Sequence, residues 1–369
     1  MFDYQQCFAF LRYSIAPDKQ YAFDTKDLDW YGLYRFAKEQ AILGVLFEGV
    51  KRLSEQNIKP PFELLMQWIA TAEKIVGQNR LLYKRCTELE EILQKDGFES
   101  CMLKGQGNAL MYPNPYSRTP GDIDIWVKPK ADGRKKKVEV RQIIEFLGTK
   151  CDIKRQIIGY HHVKFPIWKD VEVEVHWRPS WRSSPIHNHR LQRWFMEHAG
   201  DTCEKGGLIV PTWEFNVVYQ LQHMFLHILH EGLGLRQVMD YYFVLKAQND
   251  VRCKKEEVRE TLRYLGLWKF AGAMMYVMKE VFALDEKFMI APVNEKRGRF
   301  LLNEILQSGN FGQYDKRNSV LHLQHGIMRN IYQLKRSWRF VQSYPTEVIC
   351  YPLRLYHIIW RKCQLWRWE

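Results

Sequence analysis

The chain has 369 residues, of which 46% are hydrophobic and 14% aromatic, and its formal net charge is +13. That apolar content suffices for two or three packed units, and no apolar run approaches the ~20 residues of a bilayer-spanning helix, so no membrane span is expected. Eight scattered cysteines without a CxxC pair, in a chain too large to need staples, argue against a disulfide framework and for reduced thiols in a cytoplasmic protein.

The opening stretch MFDYQQCFAFLRYSIAPDKQ has an early acid and no small-residue cleavage site, so it is not expected to be a signal peptide. Residues 1–95 read as helices. DLDWYGLYRFAKEQAILGVLFEGVKRL places apolar residues at helical spacing, with Asp27 or Asp29 able to cap it. A longer helix starts near Pro61 and is ended by Gly97. The period then changes. FESCMLKG predicts a short strand running into a turn at Gly105, QGNALMY a short helix, and PNPYSRTPG a loop. GDIDIWV, Gly121 to Val127, predicts a strand, and KADGRKKKVEVRQIIEFLGTK a helix with Ile143, Ile144 and Leu147 on one face. HHVKFPIW and VEVEVHWR are two further strands separated by Lys169-Asp170, which predicts a hairpin. From about Trp194 onward the pattern is helical. The expectation is an α+β chain: a helical region over 1–95, a mixed α+β core over 96–182 and a helical region over 183–369.

Two of these strands are chemically odd. Asp is depleted in strands, yet GDIDIWV puts Asp122 and Asp124 on one face, roughly 6.6–7 Å apart. VEVEVHWR sends Val171, Val173, Val175 and Trp177 one way and Glu172, Glu174 and His176 the other. Were the two strands neighbours, their acids would converge on one patch. Converging carboxylates repel and need a cation or a proton. Hard oxygen donors suit Mg²⁺, and two ions ~3.5–4 Å apart can bridge the attacking and leaving oxygens of phosphoryl transfer. The plainer alternative is a solvent-facing acidic stripe paired with nearby Lys and Arg.

The order "hG" turn, short helix and loop, DhDh, then a later hEh strand resembles the DNA polymerase β-like nucleotidyltransferase superfamily over roughly residues 96–180. LKG, YPNPYSRTPGDIDIWV and EVEVHWR together resemble a narrower bacterial nucleotidyltransferase group, and that likeness extends over most of the chain. The resemblance implies a small mixed sheet backed by helices. It also implies transfer of a nucleoside monophosphate from an NTP to an acceptor hydroxyl with release of pyrophosphate and Mg²⁺ as cofactor, two ions being expected. By motif, Asp122 and Asp124 would be the first metal ligands and Glu174 the third carboxylate, with Glu172 as fallback. The third acid could double as general base. Gly105 would be the glycine of the phosphate-binding turn; Gln106 departs from the Gly or Ser usual after it. Lys104 and Arg118 would contact the triphosphate. The acceptor (small molecule, protein or nucleic acid) and the oligomeric state are open. The alternative is a non-catalytic nucleotide- or nucleic-acid-binding protein of the same fold, motivated by Gln106.

His223, His227 and His230 fall on one helical face, without an HExxH motif to support zinc; they read as a polar seam or as acceptor contacts. Arg236 and Asp240, four apart, read as a helix ion pair, although the resembling group often shows His, Gly, Arg and Asp in this region, which implies a functional role as the alternative. One of His161 and His162 is expected to face the acids. The stretch from Lys316 to Glu369 holds ten Lys/Arg against two Asp/Glu, interleaved with tryptophans, and GRKKK is a second basic run. These could bind nucleic acid or be solvated faces of packed helices.

Overall fold

Alternation of apolar and acidic residues is what builds the centre of the molecule. The computed structural model describes residues 4–16, 25, 28–130, 136–153, 158–248, 252–318 and 327–354. In chain order its main elements are α1 (Tyr4–Ile15), α2 (Trp30–Glu39), α3 (Leu43–Glu55), α4 (Phe62–Lys95), β1 (Phe98–Met102), α5 (Gln106–Ala109), β2 (Ile123–Pro129), α6 (Lys136–Lys150), β3 (His162–Lys164), β4 (Val173–His176), α7 (Pro185–Glu197), β5 (Thr202–Lys205), β6 (Leu208–Pro211), α8 (Trp213–His230), α9 (Leu235–Lys246), α10 (Arg252–Tyr264), α11 (Trp268–Phe282), α12 (Glu295–Ser308), α13 (Ile327–Trp338) and α14 (Pro345–Ile349). It is a mixed α+β fold with a four-stranded sheet in the order β1-β2-β4-β3. β2 and β4 run parallel, and the outer pairs are antiparallel.

The period of two assigns the faces. Ile123, Ile125 and Val127 of β2 and Val173 and Val175 of β4 enter one core with Leu82, Leu89 and Leu93 of α4 and Ile143, Ile144 and Leu147 of α6. Each such side chain contributes about 1.5–3 kcal/mol by leaving water, so a one-residue slip, which would drive Asp124 into that core, is strongly disfavoured. The opposite face carries Asp124 and Trp126 on β2 and Glu174 and His176 on β4. α8 crosses this face. Its Phe215 stacks on Trp126 with centroids 5.6 Å apart, and Tyr219 follows one turn later, stacked 6.2 Å from Phe215. One further turn brings His223 over the acids. The helices before and after the sheet share the larger core, which joins Phe8, Phe36 and Trp68 to Leu221, Met239 and Met274.

Four local expectations are corrected. The helix expected from Asp27 through Leu53 is two helices. Ala41 takes a left-handed φ of 56°, and Gln40 is bent away to cap α9: Leu235 N donates to Gln40 Oε1 at 3.0 Å and Arg236 N to Gln40 O at 3.2 Å. Asp29 caps α2 through Gly32 N. Second, β3 and β4 do pair, but the ladder stops well short of Lys169-Asp170; Phe165 N to Val173 O is its last rung. Third, the region after Trp194 is not all helical. Gly206 and Gly207, at φ 57° and 77°, close the β5–β6 hairpin, because only glycine tolerates two successive positive φ angles cheaply. Fourth, the basic C-terminal stretch is partly internal. Arg336 is fully buried, bound to Asp315, Ser308 Oγ and Ile228 O, and Arg317 grips both Asp315 and Glu304. Trp360, Trp366 and Trp368 lie outside the described residues, as does Gly133–Lys135 of the other basic run. Cys7, Cys86, Cys101, Cys151, Cys203 and Cys350 are free thiols, with Cys7, Cys86 and Cys101 buried and Cys203 exposed. Among the described residues no helix is long and apolar enough to cross a membrane.

Candidate functional site

Parallel pairing of β2 with β4 sets Asp124 directly opposite Glu174, and therefore on the same face. The ladder extends one step further through Ile123 N to Glu172 O at 2.9 Å, just beyond which lies Asp122. Ligand-capable atoms of Asp124, Glu174 and His176 all lie within 4.8 Å of one another. His176 Nε2 is 3.0 Å from Asp124 Oδ1 and 3.7 Å from Glu174 Oε2. His162, opposite His176 in the β3–β4 register, reaches Glu174 Oε1 at 3.7 Å. Glu172 is drawn off to Lys164 at 3.5 Å with its side chain 79% exposed, so Glu174 is the acid that joins Asp124.

These groups floor a cleft of about 1150 Å³. Its far wall is His223, His227 and His230 of α8, Arg236 of α9, and Asn310 and Phe311. Lys104 bridges the walls: Nζ lies 3.0 Å from Asp124 Oδ2 and 3.3 Å from His223 Nε2. His223 Nε2 is 2.9 Å from His227 Nε2, and His227 Nδ1 is 3.0 Å from Glu231 Oε2. His230 stacks face to face on Trp181 at 5.5 Å.

The charges fit a concave, partly dry site. Burial opposes ionisation of Asp124, but Lys104 and His176 outweigh it and hold the carboxyl well below the usual range. Burial first, then Asp124, pushes Glu174 up to about 7. Burial opposes the charge on Lys104, yet Asp124, Asp122 and Glu174 outweigh it and raise the ammonium. Burial, then the nearby His176, takes His162 down to about 3. Burial and then Lys104 hold His223 well below its ordinary value.

The turn that presents Lys104 is anchored from two sides. Gly105 has φ 63°, a conformation that strains residues bearing a Cβ, and the turn backs onto the Asp122 carbonyl. Gln106 points away from the cleft: it is buried, and its amide donates to Asn79 Oδ1 at 2.8 Å beneath α4. Gln220 of α8 donates to Leu103 O, and Asn216 to Asn108 Oδ1. Gly105 itself does not line the cleft, whereas Lys104, Asp122, Asp124 and Glu174 do.

Arg118 does not reach the cleft. Its Nε and Nη2 each lie 2.8 Å from an oxygen of Asp240, and Tyr112 donates to the same carboxylate at 2.6 Å, so the fork expected for a triphosphate is consumed by a buried ion pair. Arg236, read from the sequence as the helix partner of Asp240, takes the cleft position instead. Its Nη1 donates to Pro120 O at 3.0 Å just ahead of Gly121 and Asp122, and its guanidinium lies 5.3 Å from the Phe311 centroid. Burial and then Arg118 lower Arg236 to about 10, still a cation at neutral pH. The exchange of arginines was beyond local reading, because the carboxylate four residues from Arg236 is taken by Arg118, 122 residues away in the chain. Phe311 and Asn310 were also missed. The positive φ of Phe311, 52°, is the structural sign that its loop is held against preference.

The described ligand clusters of three are Asp124/Glu174/His176 and His161/His162/His176, and His223, His227 and His230 form no such set among the described residues. A search of curated proteins and a search of solved structures find no match to this chain. The profile of a family described as uncharacterised nucleotidyltransferase matches residues 26–283, a span that holds β1, β2, β4, α8 and α9 with the acids, Lys104 and Arg236. With well over half of its length matched, the chain belongs to this family of uncharacterised nucleotidyltransferases.

Proposed function

We propose that the cleft transfers a nucleoside monophosphate from a Mg²⁺-bound NTP to an acceptor hydroxyl and releases pyrophosphate. The observation that carries this reading is the register of Asp124 on Glu174, with Asp122 one step away and the cations Lys104 and Arg236 in the same cleft. Converging carboxylates, one buried and two half-buried, fit divalent cations, which Asp122, Asp124 and Glu174 would hold. Such ions neutralise phosphate charge and orient the attacking and leaving oxygens.

The protein's own groups supply the remainder. Lys104, now balanced against Asp124, and Arg236, at the Asp122 end, offer positive charge to the phosphates. Glu174, in register with Asp124, would take the proton that the acceptor hydroxyl loses. Helix α8 closes the cleft opposite the sheet and limits water. At about 1150 Å³ the cleft exceeds the ~300–1,000 Å³ of ordinary small-molecule sites, leaving room for a nucleotide and an acceptor together. Gln106, which motivated a non-catalytic alternative, points beneath the turn and does not obstruct it.

The test is a panel of the four NTPs with Mg²⁺ and hydroxyl-bearing acceptors, followed by pyrophosphate release and product mass. Asp122→Asn and Asp124→Asn are each expected to lose about 10³-fold or more, the equivalent of several kcal/mol of charge stabilisation. Transfer retained in both variants overturns the reading. Nucleotide binding without turnover across the panel transfers the case to a non-catalytic nucleotide-binding protein.

A further inference from the structure

We propose that the Asp124/Glu174 side of the cleft is a mixed nitrogen and oxygen site, completed by His176 and His162, that takes a borderline divalent metal of the Mn²⁺, Co²⁺ or Zn²⁺ kind in preference to Mg²⁺. The proposal rests on the reading that the cleft holds divalent cations, and it makes the two ion positions chemically different. An ion held by Asp122 and Asp124 would meet oxygen donors alone, whereas one on the Glu174 side would also meet imidazoles.

The geometry comes from three adjacent strands delivering donors to one face. β2 gives Asp124, β4 gives Glu174 and His176, and β3 gives His162 at the register position of His176. Asp124, Glu174 and His176 present ligand atoms within 4.8 Å of one another, and so do His161, His162 and His176. His176 belongs to both sets. Its imidazole is 4% exposed; Nε2 faces both carboxylates, and Nδ1 is buried without a hydrogen-bond partner.

Nε2 is the nitrogen that a metal between the two carboxylates would take, and orientation of Asp124 alone does not account for the company His176 keeps. The rings of His161 and His162 lie 5.5 and 5.1 Å from that of His176, and 4.2 Å from each other. Three imidazoles so close cannot all carry charge without repulsion, and neutral imidazole is the form that binds metal. Mg²⁺ favours all-oxygen octahedra and gives up water reluctantly, whereas imidazole suits the later first-row metals. Mg²⁺ alone would leave His176 as a hydrogen-bonding neighbour of Asp124 and His162 as a neighbour of Glu174, with neither imidazole a ligand.

The experiment uses the full chain without nucleotide, titrated with Co²⁺, Mn²⁺ and Mg²⁺ separately. Co²⁺ reports nitrogen ligation through its visible absorption, and calorimetry gives affinity. The expected result is a visible Co²⁺ spectrum that Mg²⁺ in roughly hundredfold excess does not abolish. His162→Ala and His176→Ala are each expected to weaken Co²⁺ by about 10–100-fold and to change the spectrum. His162→Ala, on the short β3, keeps the test open should His176→Ala fail to fold. Co²⁺ affinity and spectrum unchanged in His162→Ala, or displacement of Co²⁺ by equimolar Mg²⁺, overturns the proposal. A nitrogen-ligated Co²⁺ spectrum in a protein that releases no pyrophosphate sustains this inference while the transferase reading fails. Mg²⁺-driven turnover indifferent to both histidine substitutions does the reverse.

Discussion

Asp124 Oδ1 and His176 Nε2 lie 3.0 Å apart although the two residues are not register partners; Asp124 faces Glu174, and His176 leans back across the parallel pair to reach it. Lys104 holds the other oxygen of the same carboxylate at 3.0 Å. The aspartate is thus ionised between two nitrogen-bearing side chains, while Glu174, beside it and half-buried, is driven the other way, up to about 7. One neighbouring pair of carboxyls is split into a permanently charged member and one that titrates near neutrality, a pattern found where acids do chemistry.

Cation binding follows the titrating member. A carboxylic acid must lose its proton to ligate, so below pH 7 a divalent ion competes with the Glu174 proton and above it does not. Mn²⁺ affinity is expected to rise with pH up to about 7, by at most about tenfold per pH unit, and to level off above. Glu174→Gln is expected to weaken binding throughout and to flatten that slope. Calorimetry from pH 5.5 to 8 checks this; a slope as steep in Glu174→Gln as in the parent protein contradicts it.

The acid-bearing face was legible because the period of two is a local property: Asp122 and Asp124 alternate with Ile123 and Ile125, and Glu172 and Glu174 with Val171 and Val173. Which glutamate met the aspartates depended on strand register, and only the shared motif with its relatives favoured Glu174. What escaped the reading depends on distant partners. No window around Gln40 reveals that it caps α9, although that duty breaks the expected helix. Arg118 and Arg236 each had a plausible local role, and their placement follows from which of them reaches Asp240. The Gly206-Gly207 turn is different: its signal was present, flanked by the short apolar run LIVP, and helical periodicity on both sides masked it.

The C-terminal helices owe part of their attachment to one buried carboxylate. Glu347 of α14 lies 3.0 Å from Arg182 Nη2 and 2.9 Å from His187 Nδ1, and it accepts from Ser183 N at 2.9 Å. Burial opposes its charge, but Arg182 and His187 outweigh that and lower it to about 2. A depressed carboxyl contributes stability that is present above its unfolded value and is lost as pH falls through the folded one. This contribution should therefore be full at neutral pH and fade from about pH 4.5 down to about 2. Glu347→Ala leaves the Arg182 guanidinium, which is 1% exposed, with Gln222 and the Leu265 carbonyl but without that counter-charge, and is expected to cost about 3–5 kcal/mol in urea unfolding at pH 7. A cost under about 1 kcal/mol, typical of surface pairs, would mean that Arg182 finds another partner.

Gly312 is required where the loop bearing Phe311 meets the turn leading into α9. Its φ is +73°, and an added Cβ would fall 2.1 Å from the Glu231 carbonyl oxygen, a backbone atom with nowhere to go. Gly312→Ala is expected to destabilise by at least about 1–3 kcal/mol from backbone strain alone. It is also expected to shift Phe311 against Arg236, so nucleotide affinity should fall together with the melting temperature. Unchanged unfolding free energy would show that the loop rearranges freely.

The two arginines separate phosphate contact from scaffolding. Arg118→Lys cannot keep both 2.8 Å contacts with Asp240, because an ammonium lacks the fork, and the residue is 4% exposed. It should lose stability by about 1–3 kcal/mol, the usual penalty for a buried group left without its partner, while the KM for NTP in the folded fraction stays within about threefold of the parent value. Arg236→Gln removes a cation that is not paired with Asp240 and faces the cleft near Asp122. Its NTP KM is expected to rise by about tenfold or more with a smaller loss of stability, since a charged hydrogen bond to phosphate contributes on the order of 1.5–3 kcal/mol. Parallel measurement of melting temperature and KM decides the matter. A KM effect in Arg118→Lys exceeding that in Arg236→Gln would return the triphosphate role to Arg118 and imply that its pair with Asp240 opens when nucleotide binds.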